Sequence, residues 1–209
     1  MNIHRRATLH RCPRSLRAFA RALQYFYIAL LAVAASPARA SEMRPGNIYS
    51  LIFTDVDKQQ LSTADGHVSV ITVVTRNDEP KAQAVGEGFP RVYLGDPKYR
   101  LIQLVNFQQN IFPPFRGMVA AIIRSRLTAE AKELQKVYAE KHITRDARHD
   151  IFVIADFDGK AVSQLGIAPT SSEFAVFVFD GHGRLIRRWS DVPPAEALTA
   201  AISEAKISQ

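Results

Sequence analysis

The sequence predicts an α/β sandwich built on a central mixed sheet, and three observations carry that prediction. Short β-branched runs alternate with helical stretches from residue 48 to residue 205. The last two apolar runs, "FAVFVFD" and "RLIRRW", are separated only by "GHG", which reads as a tight antiparallel hairpin. A long amphipathic stretch and a closing alanine-rich segment supply helices to cover the sheet.

The first forty residues are expected to stand outside that domain. They carry Arg5, Arg6, Arg11, Arg14, Arg17 and Arg21 and no acid, then the apolar run "ALQYFYIALLAVAAS", then "PARA". A basic region, a short apolar region and a small-x-small site are the pattern of a secretory signal peptide, with cleavage expected after Ala40. The apolar run is shorter than the roughly 20 residues of a membrane-spanning helix, so no stable span is expected after cleavage. Residues 41–209 are expected to form one domain, exported to the periplasm or beyond.

That division changes the charge and cysteine arguments. Seven of the 27 Lys+Arg and none of the 20 Asp+Glu lie in residues 1–40, so residues 41–209 carry 20 of each. A neutral domain lacks the basic footprint of a nucleic-acid binder. The single cysteine is Cys12, inside the expected signal. The remaining chain has no thiol, which excludes disulfides, thiol catalysis and cysteine-metal sites.

Element by element, "IYSLIFTD" reads as a strand, followed by a turn and a second short extended piece in "VDKQQLSTADG". "HVSVITVVT" is the clearest buried strand, with Asp65-Gly66 and His67 at its entry. A helix is expected from about Glu79 toward Val85, with Asp78 as N-cap and Pro80 in the first turn. "GFPRVYLGDPKY" is loop, and "RLIQLVNF" is another strand. "NIFPPF" breaks the chain before a long helix over about 116–141. Its Val119, Ile122, Ile123, Leu127, Leu134, Val137 and Tyr138 are expected to form one apolar face. "DIFVIAD" is a strand closed by the turn "DFDG", and "KAVSQLG" is a short helix. The Gly-flanked hairpin and the helix "PPAEALTAAISEAK" complete the chain.

In this order the parts resemble the thioredoxin-like fold, and within it the exported redoxins. "DVDKQQLSTADGHVSVITVVT" is similar to that branch's opening, "IFVIADFDGKAVSQLGIAP" to its middle segment, and "FAVFVFDGHGRLIRRW" to its closing hairpin. The resemblance implies a thioredoxin-like sandwich with an extra N-terminal strand pair and a long inserted helix. It places the family's Cys-x-Pro-Cys turn on Asp78, Glu79, Pro80 and Lys81: the proline matches and both cysteines are absent. The proline that faces the thiols in that family falls on Phe174, and the nearest proline is Pro169. The redox activity therefore does not carry over.

The candidate binding residues are those around the altered turn: Arg76, Asp78 and Lys81 on one side, Pro169, Ser172 and Glu173 on the other. Asp78 and Lys81 read either as a polar pair that binds an anion or a peptide carbonyl, or as a capping Asp with an i,i+3 partner. His142, Asp146, His149 and Asp150 fit no strong zinc spacing and read as a solvated connection. No metal, cofactor or catalytic constellation is called for. Phe112 and Phe115 read as staples of the long helix to the core, or as a binding hot spot. Trp189 reads as filling the hairpin's buried face, or with Arg187 and Arg188 as a second binding hot spot. The function expected is a non-redox binding or accessory module for a periplasmic protein or peptide. The alternatives are a non-thiol enzyme or small-ligand binder using Asp78, Lys81 and Glu173, and a homodimer formed through residues 107–141. The oligomeric state is not readable from sequence.

Overall fold

The computed structural model describes residues 42–207, so the expected signal segment lies outside the described residues. Strands β1 (Ile52–Thr54) and β2 (Gln60–Ser62) pair antiparallel as a separate ribbon, with Phe53 opposite Leu61 and both buried. This is the expected extra strand pair. The turn between them closes on Asp55, whose Oδ1 accepts the amides of Asp57 and Gln59 at 2.9 and 2.7 Å.

The main sheet has five strands: β3 (Val68–Val74), β4 (Tyr99–Asn106), β5 (Phe152–Asp156), β6 (Ala175–Phe179) and β7 (Leu185–Trp189). Their spatial order is β5-β4-β3-β6-β7. β3, β4 and β5 are parallel, while β6 is antiparallel to both β3 and β7. The central strand β3 is buried along its whole length. That is why apolar residues occur on both of its faces rather than in alternation, with only Ser69 and Thr72 polar.

Period two sorts the core into two layers. Ile71 and Val73 point into the layer that holds Ile102, Leu104, Ile154, Phe177 and Phe179, and that Phe53 and Leu61 of the ribbon help to cover. Val68, Val70 and Val74 point into the other, against helix α1 (Glu79–Gly88) through Val85 and against the C-terminal helix (Ala195–Ile207) through Leu198, Ala201 and Ile202. Trp189 packs against this second layer, as the buried-face reading expects.

Thr72 is the polar residue of β3 on that second face. It is buried, and its hydroxyl has no hydrogen-bond partner. An unmade bond to a buried hydroxyl costs about 1–3 kcal/mol, so Thr72→Val is expected to stabilise the fold by about 1 kcal/mol. The measurement is the urea midpoint at constant m-value.

At the entry to β3, Asp65 takes the His67 Nδ1 at 2.8 Å and the Arg100 guanidinium at 2.7 Å, and Arg100 also meets His67 Nε2 at 3.0 Å. Burial pushes the Asp65 carboxyl up, but its bonds to Arg100 and His67 outweigh this and hold it below the ordinary 3.8. A lowered folded value stabilises the fold fully above pH 3.8, and that stability is lost as the pH falls through the folded value. Asp65→Asn is therefore expected to be less stable at neutral pH and to lose part of the acid dependence below pH 3.8, read by circular dichroism.

Between β4 and β5 runs the predicted long helix, α2 (Arg116–Glu140). Its buried side chains are Leu127, Ala131 and Tyr138, and Leu127 meets Val153 and Val56. The single wide apolar face expected from the spacing is not what packs. Ile122 and Leu127 lie roughly 140° apart at 3.6 residues per turn. Only one of them can face the sheet, and Ile122 is 50% exposed. Helix α3 (Lys160–Gln164) follows β5, and α4 (Ala195–Ile207) closes the chain.

Candidate functional site

The parallel strands β3, β4 and β5 end on the same side of the sheet, and four connections gather there. They are the turn 75–78 into α1, the loop 107–115, the turn 157–159 and the loop 168–173. Cross-links tie the last three together. Asn106 Nδ2 donates to the Ser171 carbonyl at 3.0 Å, Gln108 Nε2 to the Thr170 carbonyl at 3.4 Å, and Gln109 Nε2 to the Asp158 carbonyl at 3.0 Å. Phe107 stacks on Phe157 with ring centroids 4.8 Å apart.

Asp78 occupies the N-cap position of α1 with Pro80 in the first turn, as predicted, but its side chain caps nothing. Its Oδ2 turns back to accept the Thr75 amide at 2.9 Å and the Thr75 hydroxyl at 2.6 Å. The reason is local. A capping carboxylate normally takes the second or third amide of the helix, and Pro80, at the second, has none. Thr75 offers two donors in exchange. Asp78→Ala is expected to cost about 2 kcal/mol, since it leaves the Thr75 amide and hydroxyl without acceptors, while Asp78→Asn retains about half of that. Thermal unfolding of both variants checks the difference.

Lys81 does not pair with Asp78 at i,i+3. Its Nζ lies 2.9 Å from Asp191 Oδ1 and 5.1 Å from the centroid of the Phe174 ring. The hydrogen bond to Asp191 raises the Lys81 pKa and lowers that of Asp191. Both side chains are well exposed, so the pair adds little stability. Phe174 itself is buried at the base of β6. Lys81, early in α1, thus meets Phe174 immediately before β6.

The other expected residues go elsewhere. Arg76 and Ser172 are exposed, and Pro169 is half-buried against Gly159. Glu173 Oε1 accepts from Arg188 Nη2 at 2.5 Å, and Arg188 also pairs with Glu42 and lies over the Phe177 ring. Arg187 pairs with Glu204. The arginines of "RLIRRW" are thus engaged within the domain. A shallow hollow of about 310 Å3 is bordered by Glu42, Arg44, Asn47 and Tyr49, and none of the turn residues lines it.

The stretch 142–150 is a solvated connection, with His142, Asp146 and His149 exposed, and local bonds also tie it down. Asp146 accepts the Arg148 amide, and Asp150 takes the Tyr138 hydroxyl at 2.8 Å and Arg145 at 2.7 Å. The expectation that Phe112 and Phe115 staple the helix to the core is overturned. They are 67% and 54% exposed, and they face each other at 6.4 Å.

No protein-family model matches the chain, and no curated protein is similar to it. Solved structures do resemble it at low identity. A peroxiredoxin-like protein from Aquifex aeolicus is 16% identical over 78% of this chain and 88% of its own, with a TM-score of 0.46. A putative thiol:disulfide interchange protein DsbE from Chlorobium tepidum is 13% identical over 79% and 99%, at 0.48. A SCO1/SenC family lipoprotein from Bacillus anthracis is 11% identical over 79% and 99%, at 0.46. By its own strand order, its closing hairpin and helix, its N-terminal ribbon and its inserted helix, the chain has the thioredoxin-like fold, with no cysteine after Cys12.

Proposed function

We propose that this chain is an exported, non-redox thioredoxin-like module that binds a protein or peptide on the surface formed by the turn 75–81 and the loop 168–174. The observation that carries this reading is Lys81 lying over Phe174, which joins the two segments without a thiol between them. Three polar groups of this surface are engaged within the domain: Asp78 with Thr75, Glu173 with Arg188 and Lys81 with Asp191. Outward at this surface stand Arg76, Asn77, Glu79, Thr170 and Ser172 beside half-buried Pro169, a polar set able to hydrogen-bond a peptide. Export rests on the signal pattern of residues 1–40.

The test is photo-crosslinking in cells from a reactive residue placed at Arg76, with Ile207, exposed on the last helix, as control. The expected result is one dominant protein adduct from position 76 and none in common with position 207. Identical adducts from both positions, or none from 76, would overturn the reading. Insulin reduction by the purified protein would overturn its non-redox part.

A further inference from the structure

A second surface, independent of the turn, stands out at the start of α2. Phe112, Phe115, Met118 and Ile122 are 67%, 54%, 58% and 50% exposed. Residues 115, 118, 122 and 126 recur at three- and four-residue spacing, so on a helix they form one ridge, and it ends in exposed Arg126. Single exposed apolar residues need no explanation, but four in one contiguous row do.

The row is held rigidly. Gln108 and Gln109 both take left-handed backbone conformations, at φ 52° and 60°, which cost energy for residues with a side chain. Asn106 Oδ1 fixes the Gln108 amide at 2.8 Å, and Arg116 anchors the helix start by donating to the Ile111 and Phe157 carbonyls at 3.4 Å and lying over the Phe157 ring. Pro113 and Pro114 stiffen the segment between the two phenylalanines.

Charge says what kind of surface would cover it. From residue 107, where β4 has ended, to residue 129 there is no acid, and there are three bases: Arg116, Arg124 and Arg126. Arg124 donates to the Val56 carbonyl while keeping its charge. On the neighbouring turn, Asp158 is paired with Lys160 at 2.7 Å. The sign changes only past Arg126, where Glu130 follows and Glu133 pairs with Lys136. Shape agrees with charge. A groove would shield its lining, whereas each of these side chains stands at least half clear of the protein, as suits a flat partner.

The geometry points to an anionic lipid surface as that partner: the ridge Phe112–Phe115–Met118–Ile122 enters the interfacial layer, and Arg126 and its neighbours meet the headgroups. Exposed apolar side chains with a cation beside them are what a protein inserts at the interface of an anionic bilayer. It is peripheral contact, since among the described residues no helix is long and apolar enough to cross a membrane. A second copy is disfavoured because a two-fold contact would bring basic surfaces together.

The experiment uses the full chain with Cys12→Ser and an environment-sensitive fluorophore on Met118→Cys, or on Val92→Cys as control, since Val92 is 79% exposed outside the ridge. Vesicles contain either phosphatidylcholine alone or a phosphatidylglycerol mixture, with brominated acyl chains as quencher. The expected result is a blue shift and quenching at position 118 on anionic vesicles, with neither at position 92. Arg126→Gln is expected to weaken the insertion about fivefold, the loss for one basic residue at such a surface. Any of four results would overturn the proposal. The label at 118 stays water-exposed on vesicles, or is quenched equally at 92, or responds equally to neutral lipid. In the fourth it is already shielded before lipid is added, which would identify a protein cover, either a second copy or residues 1–41.

Discussion

Gly159→Ala is expected to lower the stability of the domain by about 3 kcal/mol, seen as a large drop in the urea midpoint. Gly159 sits at the N-terminus of α3 with φ +76°, and a β-carbon there would lie 2.2 Å from Pro169 Cβ and 2.9 Å from Pro169 Cα. Two penalties add. A side chain in the left-handed region costs roughly 1–2 kcal/mol, and forced overlap in a packed site costs roughly 1–3 kcal/mol. Relief by local movement is limited, because one of the clashing atoms is backbone. The loop that would have to move presents the Thr170 and Ser171 carbonyls to Gln108 and Asn106. The substitution therefore reaches the proposed binding surface as well as the core. The control is Gly86→Ala within α1, where a β-carbon meets nothing within 4 Å. It is expected to stabilise the helix by about 0.5–1 kcal/mol. Equal effects from the two would show that the Gly159–Pro169 contact is not what the glycine serves.

The contrast between these glycines shows which layers of the structure the sequence exposes. Strands were legible because burial imposes a pattern on neighbours in sequence: all of β3 is buried, and its apolar run announces that. The hairpin was legible from two glycines around one residue, and the start of α1 from Pro80. The turn's chemistry was only half legible. Looking forward along the helix, Asp78 reads as a cap. Looking back three residues, Thr75 offers two better donors, and Pro80 removes one of the competitors. Lys81 illustrates the harder case. Its partners are Asp191 and Phe174, remote in sequence, so no local spacing predicts them. The apolar residues of α2 were misassigned for a geometric reason. Their row spans more of the helix circumference than one sheet edge can cover, so Leu127 goes inward and Ile122 stays out. Of the exposed ridge, only Ile122 belongs to that misassigned set; Phe112 and Phe115 lie ahead of the helix, where its periodicity does not reach.

Tyr138→Ala is expected to cost about 4 kcal/mol, within the range for removing a buried aromatic ring. The number matters because α2 is long and thinly attached. Over 25 residues it buries only Leu127, Ala131 and Tyr138, and Tyr138 is fully enclosed. Its hydroxyl donates to Asp150 Oδ2 at 2.8 Å, and Asp150 Oδ1 in turn receives Arg145 at 2.7 Å. Its carbonyl accepts the Ile143 amide at 2.8 Å as the chain turns away. Burial, then the bond to Asp150, push the phenol well above its usual value, so it remains a donor at every working pH. Tyr138→Phe keeps the ring and loses only that bond. It is expected to cost about 1–2 kcal/mol, because Asp150 retains Arg145. Hydrogen exchange separates the two effects: Tyr138→Ala should speed exchange along Arg116–Glu140, while Tyr138→Phe should leave all but the final turn protected. A helix freed along its length could not hold Phe115, Met118 and Ile122 in one row. The anchor at one end of α2 is therefore a condition for the surface at the other.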